Sequence, residues 1–107
     1  MRWRVRSAVS GALAPGDEIR AIARDEIGRD YWVLTDREII RFDGRKIVQR
    51  MSLSDAVGTI TTQPSAGVTV RVHSHRTADT HMVTSFRKAN DVTRGLAARF
   101  EHQPETE

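Results

Sequence analysis

The sequence predicts a mainly β protein with some α-helix. About seven short antiparallel strands are expected to form a strongly bent barrel, capped by a C-terminal amphipathic helix and preceded by a short N-terminal helix. Between Ile19 and Phe86, apolar and polar residues tend to alternate in twos, the period of a half-buried strand. From Ala89 to Phe100 the apolar residues recur every three or four positions, which indicates a helix. A chain of 107 residues has room for one such core.

Residues 1–14 predict a basic amphipathic helix, because their apolar residues share one face at helical spacing. The apolar residues are Val5, Ala8, Val9, Ala12 and Leu13, and the arginines Arg2, Arg4 and Arg6 occupy other positions. Pro15-Gly16 ends the helix, since proline lacks the amide hydrogen. Such a helix either lies on an anionic membrane or packs on its own domain or a neighbouring subunit. The small area that Ala and Val bury favours packing.

Seven segments predict strands, because each combines β-branched or aromatic residues with flanking turn residues. In chain order they are residues 19–24, 31–35, 37–42, 46–53, 57–62, 67–72 and 78–85. The dipeptide Asp43-Gly44 is the strongest hairpin signal, and a two-residue turn there requires positive φ at both positions. Residues 35–38, Thr-Asp-Arg-Glu, have short polar side chains that bond nearby backbone, so we interpret them as a tight turn rather than a catalytic loop.

The last helix is predicted over residues 87–101, with Asn90 and Asp91 in its first turn. Its single apolar stripe has to be buried, and the open end of the barrel is the natural place for it. Residues 102–107 contain no apolar residue and predict a disordered tail. The expected organisation is therefore an N-terminal helix (1–14), one β domain (15–101) and a tail (102–107).

Several stretches resemble the bacterial pleckstrin-homology-like (PH-like) domains. They are LAPGDEI before the first strand, YWVLTDREIIRF over the second and third, MSLSDAVGTI leading into the fifth, and a helix after TSF. Members of that family commonly read Leu-x-x-Gly-Glu, then aromatic-x-x-Leu-Thr-Asp, then Leu-x-Asp before a Val-x-x-Ile strand. The present chain departs from this pattern at Gly16, which is followed by Asp17-Glu18.

The resemblance covers about residues 13–100 and is strongest at Leu34-Thr35-Asp36 and Leu53-Ser54-Asp55. It implies a seven-stranded, strongly bent barrel or sandwich capped by the C-terminal helix. Some bacterial relatives assemble into rings, so it also implies self-association.

No catalytic constellation is present in the sequence. There is no nucleophile elbow, no phosphate-cradling glycine loop and no dinucleotide fingerprint, so neither an enzyme nor a cofactor is predicted. The chain has no cysteine, which excludes disulfides and thiolate ligands and favours the cytoplasm.

Three histidines are the candidates for a metal site. His73 and His75 share one face of a predicted strand, and a turn after them brings His81 opposite His73 or close to it. Three neutral imidazoles hold zinc or nickel well. A slip of one residue in the strand register would turn His81 to the other face of the sheet. The simpler interpretation of the three histidines is that they are polar residues facing solvent. No native metal site is therefore predicted.

Fifteen of the seventeen basic residues are arginine, a residue suited to phosphate and carboxylate contacts. A G- and C-rich genome produces the same enrichment without any function. The candidate surface for a partner or an anionic ligand comprises Arg2, Arg4, Arg6, Arg37, Arg41, Arg45, Lys46 and Arg50.

The predicted partner is a protein or a second copy of the chain. Eukaryotic PH domains bind inositol phosphates around the loop between strands one and two, but residues 25–30 are mostly acidic here, which argues against that ligand. Stacking aromatics are too few for a nucleic-acid binder. We therefore expect a non-enzymatic, cytoplasmic interaction module. The alternative is a protein peripheral to the membrane that binds anionic lipid or another phosphate-rich ligand through the arginines.

Overall fold

The computed structural model describes residues 2–26, 28–65, 67–76 and 81–101. Helix α1 (Arg2–Ser10) precedes seven strands, and helix α2 (Asp91–Glu101) follows them. The strands are β1 (Ile19–Arg24), β2 (Tyr31–Thr35), β3 (Glu38–Phe42), β4 (Ile47–Ser52), β5 (Ala56–Gln63), β6 (Gly67–Ser74) and β7 (His81–Phe86). The predicted order of helices and strands is confirmed. The predicted tail and the first residues of the predicted seventh strand, 78–80, lie outside the described residues.

The strands form two separate antiparallel sheets, of four and three strands, rather than the one strongly bent barrel that the sequence predicts. One sheet has the order β1-β2-β3-β4 and the other the order β5-β6-β7. No backbone pairing joins β4 to β7 among the described residues. Instead, one side chain of β3 and one of β4 donate hydrogen bonds to backbone carbonyls of β7. Gln49 Nε2 donates to the His81 carbonyl (2.9 Å) and Arg41 Nη2 donates to the Val83 carbonyl (3.0 Å). These bonds occupy two of the β7 carbonyls that a neighbouring strand would need.

The larger apolar core lies between the two sheets and helix α2. The four-stranded sheet contributes alternate residues such as Trp32, Leu34 and Ile39, and β6 contributes its three valines. Val92 and Leu96 of α2 are fully buried in this core. The amphipathic stripe of α2 therefore covers the core, as the sequence predicts.

A second apolar cluster lies on the opposite face of the four-stranded sheet, under helix α1. Val5 and Val9 pack there against the intervening residues of β1, β2 and β3. The sheet residues of this cluster are Ile22, Tyr31, Val33, Ile40 and Phe42. Because both faces of the sheet are covered, β2 is buried at all five positions. Of the two roles expected for the N-terminal helix, the structure shows packing on its own domain.

The turn at residues 35–38 is built as predicted. Thr35 Oγ1 accepts hydrogen bonds from the amides of Arg37 (3.2 Å) and Glu38 (2.9 Å) and lies 3.3 Å from the Glu38 carbonyl. Asp36 accepts from the Glu18 amide (3.3 Å), which fixes the turn to the start of β1. This stretch is a meander between strands.

The hairpin at Asp43-Gly44 forms, but the prediction of two positive φ angles was wrong. Gly44 has φ 101°, whereas Asp43 does not lie in the left-handed region. The Asp43 carboxylate instead accepts the amides of Arg45 and Lys46, each at 2.8 Å. This side-chain cap supports a longer turn than the two-residue type.

Helix α2 begins at Asp91, four residues later than predicted. Asn90 precedes it as the cap: its Oδ1 accepts from the Thr93 amide (3.0 Å), and Thr93 Oγ1 accepts from the Asn90 amide (2.8 Å). This reciprocal pair satisfies amides that a helix end leaves open. Toward its C-terminal end, Phe100 packs where Gly58 lacks a side chain, because a Cβ there would overlap the ring.

Candidate interaction surfaces

The predicted arginine surface does not come together as one patch. Three of its members pair with carboxylates of the same chain. The pairs are Arg37 with Asp17 (3.2 Å), Arg41 with Asp30 (3.1 Å) and Arg50 with Glu38 (2.7 Å). Arg41 and Arg50 also lie on opposite faces of the sheet, because their neighbours Ile39 and Ile40 belong to different apolar clusters. The three paired arginines therefore bind carboxylates of their own chain and do not form one continuous basic surface.

Arg50 has a structural role in addition to its ion pair. Its guanidinium binds both carboxylate oxygens of Glu38 at 2.7 Å, and its Nη2 donates to the Ala12 carbonyl at 3.3 Å. The pKa of Arg50 lies above its ordinary value, first because Glu38 accepts these hydrogen bonds. This contact ties the segment after α1 to the outer face of the sheet.

Arg45 and Lys46 remain exposed at the β3–β4 hairpin. Their amides are bound by Asp43, and these backbone bonds hold the pKa of the Asp43 carboxyl below its usual range. In the part of the chain that the structure describes, neither side chain forms an ion pair. The two cations are available to a partner, but they are only part of the predicted set.

The outer surface of α1 combines cations with an exposed aromatic ring. Trp3 is 68% exposed, and the guanidinium carbon of Arg4 lies 5.4 Å from its ring centroid. Arg6 is also exposed, while the side chain of Arg2 lies outside what the structure describes. The helical spacing predicts the arginines on this surface, whereas no role was predicted for Trp3. Its signal was its position between Arg2 and Arg4, off the face that carries Val5 and Val9.

The register of β6 and β7 places His73 directly opposite His81. Both side chains are exposed on the outer face of the three-stranded sheet. His75 lies beyond the end of β6, where its amide donates to the Asp55 carbonyl (2.6 Å). Among the described residues, no group of three or more His, Asp or Glu side chains is arranged to hold a metal ion. Asp79, the acidic residue nearest to His81 in the sequence, lies outside those residues.

The corner between the two sheets is organised by Asp55. Its carboxylate accepts from Ser74 Oγ (2.5 Å) and from Arg76 Nε (3.3 Å). The Ser74 hydrogen bond, followed by the charge of Arg76, lowers the pKa of the Asp55 carboxyl. Asp55 of the Leu53-Ser54-Asp55 motif thus joins the start of β5 to the end of β6.

A cleft of about 800 Å³ lies between the β1–β2 loop and the segment joining β7 to α2. Four basic and two acidic side chains line it: Arg24, Arg29, Arg87, Lys88, Asp25 and Glu26. Glu26 pairs with Arg87 (3.3 Å) and also accepts its amide (3.1 Å). Because the lining carries charges of both signs and Arg87 is paired with Glu26, the cleft lacks a single strong preference for anions.

In the part of the chain that the structure describes, no strand pairs with the outer edge of β5, and helix α2 contacts this strand at Gly58. Strand β5 pairs with β6 alone, and residues 59 and 61–63 are exposed. In the described part of the chain, Val57–Gln63 form no hydrogen bond outside the β5–β6 pairing. The sequence of this strand, AVGTITTQ, contains neither a charged residue nor a proline, the residues that usually protect an exposed edge from pairing.

These features define a mainly β domain of two antiparallel sheets with a helix packed on each side of the larger one. None of the described helices is long and apolar enough to cross a membrane. Comparison of the chain with protein families, with characterised proteins and with solved structures finds no significant match in any of the three.

Proposed function

We propose that the chain is a non-enzymatic interaction module of PH-like fold that self-associates through the open edge of β5. The order of seven strands, the bent pair of sheets and the C-terminal helix over the core support the fold assignment. They accompany the sequence motifs at Leu34-Thr35-Asp36 and Leu53-Ser54-Asp55. The edge of β7 is less available, since Arg41 and Gln49 bind two of its carbonyls. Helix α2 contacts β1 and also β5, where Phe100 packs on Gly58, and residues 61–63 of β5 remain exposed beyond that contact.

The open β5 edge is the observation that carries this proposal. An unpaired strand edge presents amides and carbonyls that bind another extended segment. Proteins that avoid such pairing place lysine, proline or an inward charge on the edge, and β5 has none of these. Two antiparallel copies of β5 would place threonine-rich segments opposite each other, a neutral and self-complementary pairing. The occupant is therefore a second copy, and a strand from another protein is the alternative outcome.

Light scattering after size-exclusion chromatography, over a range of concentrations, tests the proposal. We expect the mass of the native chain to rise toward that of a dimer, whereas Thr61→Lys remains monomeric because its charge lies on the edge. Thr69→Lys is the matched control, since Thr69 lies directly opposite Thr61 on the central strand. A native chain that is monomeric at every accessible concentration would refute self-association. If Thr69→Lys dissociates the dimer as well, the interface is not the edge.

A second candidate function, binding to an anionic membrane surface, is favoured by the outer face of α1. Trp3 and the neighbouring arginines have the composition of an interfacial helix, and residues 1–16 contain no acidic residue. Each basic residue near an anionic surface contributes about 1 kcal/mol of attraction. Because Val5 and Val9 are buried against the sheet, Trp3 is the group available for insertion.

Flotation with anionic and neutral vesicles distinguishes this candidate. We expect binding to anionic vesicles only, reduced by added salt and by Trp3→Ala. Val48→Ala is the control, because Val48 is the other large apolar residue exposed among the described side chains. Equal binding to both kinds of vesicle, or to neither, removes the candidate.

A further inference from the structure

Three side chains form a row across the outer face of the three-stranded sheet. Val57 of β5 lies opposite His73 of β6, and His73 lies opposite His81 of β7. Side chains that face each other in this way have Cβ atoms about 4.5–5.5 Å apart. Both imidazoles are exposed, and a groove of about 280 Å³ runs along their strands. The two histidines are therefore direct cross-strand neighbours.

We propose that His73 and His81 form a two-imidazole binding site for a late first-row divalent metal ion such as Zn²⁺, Ni²⁺ or Cu²⁺. Imidazole nitrogen is a preferred ligand of these ions and binds Zn²⁺ at about 2.0–2.1 Å. The cross-strand spacing lets both rings reach one ion. Water or an anion fills the remaining positions, and Arg71, which lines the same groove, favours an anion.

The backbone of both histidines belongs to the pairing between β6 and β7. The ladder between β6 and β7 runs from Val68–Phe86 to His73–His81. The His81 carbonyl also accepts a hydrogen bond from Gln49 across the seam between the sheets. Such support reduces the ordering that binding requires. His75 lies outside this arrangement, because its backbone is bound to Asp55 beyond the end of the strand.

Titration of the untagged full chain with Zn²⁺, followed by calorimetry and by NMR of the imidazole rings, tests the site. We expect one saturable site that broadens or shifts the resonances of His73 and His81, while Mg²⁺ has no effect because it prefers oxygen ligands. His73→Gln or His81→Gln should weaken binding at least about tenfold, whereas His75→Gln leaves it unchanged.

A gain of affinity provides the second test. Val57→His places a third imidazole beside His73 in the same row, and we expect it to tighten Zn²⁺ binding by about tenfold or more. Thr61→His is the matched control, since it adds an imidazole to the same strand and face but lies opposite Thr69. The proposal is overturned if His73→Gln and His75→Gln behave alike. It is equally overturned if Val57→His and Thr61→His raise the affinity to the same extent.

Discussion

Asp43 and Asp55 stabilise two turns by accepting hydrogen bonds as carboxylates. Asp43 binds backbone amides of the β3–β4 hairpin, and Asp55 binds Ser74 and Arg76 at the corner between the sheets. Each arrangement lowers the pKa of the carboxyl because the bonds favour its charged form. A lowered pKa links the stability of these turns to pH.

Replacement of Ser74 tests this link at Asp55. The folded-state pKa of Asp55 lies below its ordinary value of 3.8, so the carboxylate contributes stability above that value, which is lost as the pH falls through the folded-state pKa. Ser74→Ala removes the main cause of the shift, so we expect its destabilisation to be larger at about pH 7 than at about pH 2. Urea unfolding at both pH values measures the difference.

Ser54→Ala is the control for that experiment, because exposed Ser54 bonds only to the Ser52 hydroxyl in the described structure (2.8 Å). Its effect should not depend on pH. A destabilisation by Ser74→Ala that is equal at both pH values would show that Asp55 does not carry the dependence.

At the residue scale, the sequence predicts local contacts better than distant ones. The Thr35 turn follows from side chains that reach backbone two or three residues away. The sequence left the register of β6 and β7 open by one residue, and the structure places His81 opposite His73. By contrast, the pairing of Arg37 with Asp17 joins residues from separate turns. Nothing in the local sequence distinguishes such an arginine from one that is free to bind a partner.

At the scale of elements, α1 is part of the β domain that it precedes. Its two valines complete the cluster that covers the outer faces of Val33 and Ile40. Without this helix, the largely apolar outer face of β1, β2 and β3 would contact water, which is costly for a small domain. The helix therefore stabilises the sheet and at the same time presents its basic face outward.

Val9→Ala measures the contribution of this packing. Val9 is completely buried, and we expect the free energy of unfolding to fall by about 1.5–3 kcal/mol. Chemical denaturation monitored by circular dichroism is a suitable measurement. Val48→Ala makes the same change at a site that is 44% exposed, and should cost less than about 0.5 kcal/mol. Equal effects of the two substitutions would mean that α1 is not docked in solution.

The sequence predicts that α1 is a helix but leaves its place of packing open. Period and charge identify an amphipathic segment, and they do not specify what its apolar face contacts. The sequence of β2 indicates that this strand is covered on both faces. Its run Tyr-Trp-Val-Leu-Thr lacks the apolar–polar alternation of a strand with one solvent-exposed face. A strand buried on both sides needs a second covering layer, and α1 is the helix that supplies it.

At the scale of the whole molecule, two side chains join the sheets by hydrogen bonds to carbonyls of β7. They are Arg41 of β3 and Gln49 of β4, and we call this contact the side-chain seam. Arg41 has two roles there, because it binds the Val83 carbonyl (3.0 Å) and lies 3.1 Å from the Asp30 carboxylate. The strand order could be predicted from turn lengths, but the manner of closure could not. The contact between the two sheets depends on how their edge strands approach each other in space. A single Arg or Gln in a strand does not indicate that its side chain will bind the backbone of another sheet.

Arg41→Met tests whether this seam holds the sheets together. The methionine keeps much of the apolar stem but leaves the Val83 carbonyl and Asp30 without their partner, so we expect a loss of about 1–3 kcal/mol. Hydrogen exchange should accelerate most in β7, whose free edge the seam protects, and less in β2 at the centre of the other sheet. Arg71→Met is the matched control, since Arg71 is exposed and forms no ion pair with any described residue. If both variants lose the same stability and exchange alike, the sheets are held by their shared apolar core, and the side-chain seam is incidental to it.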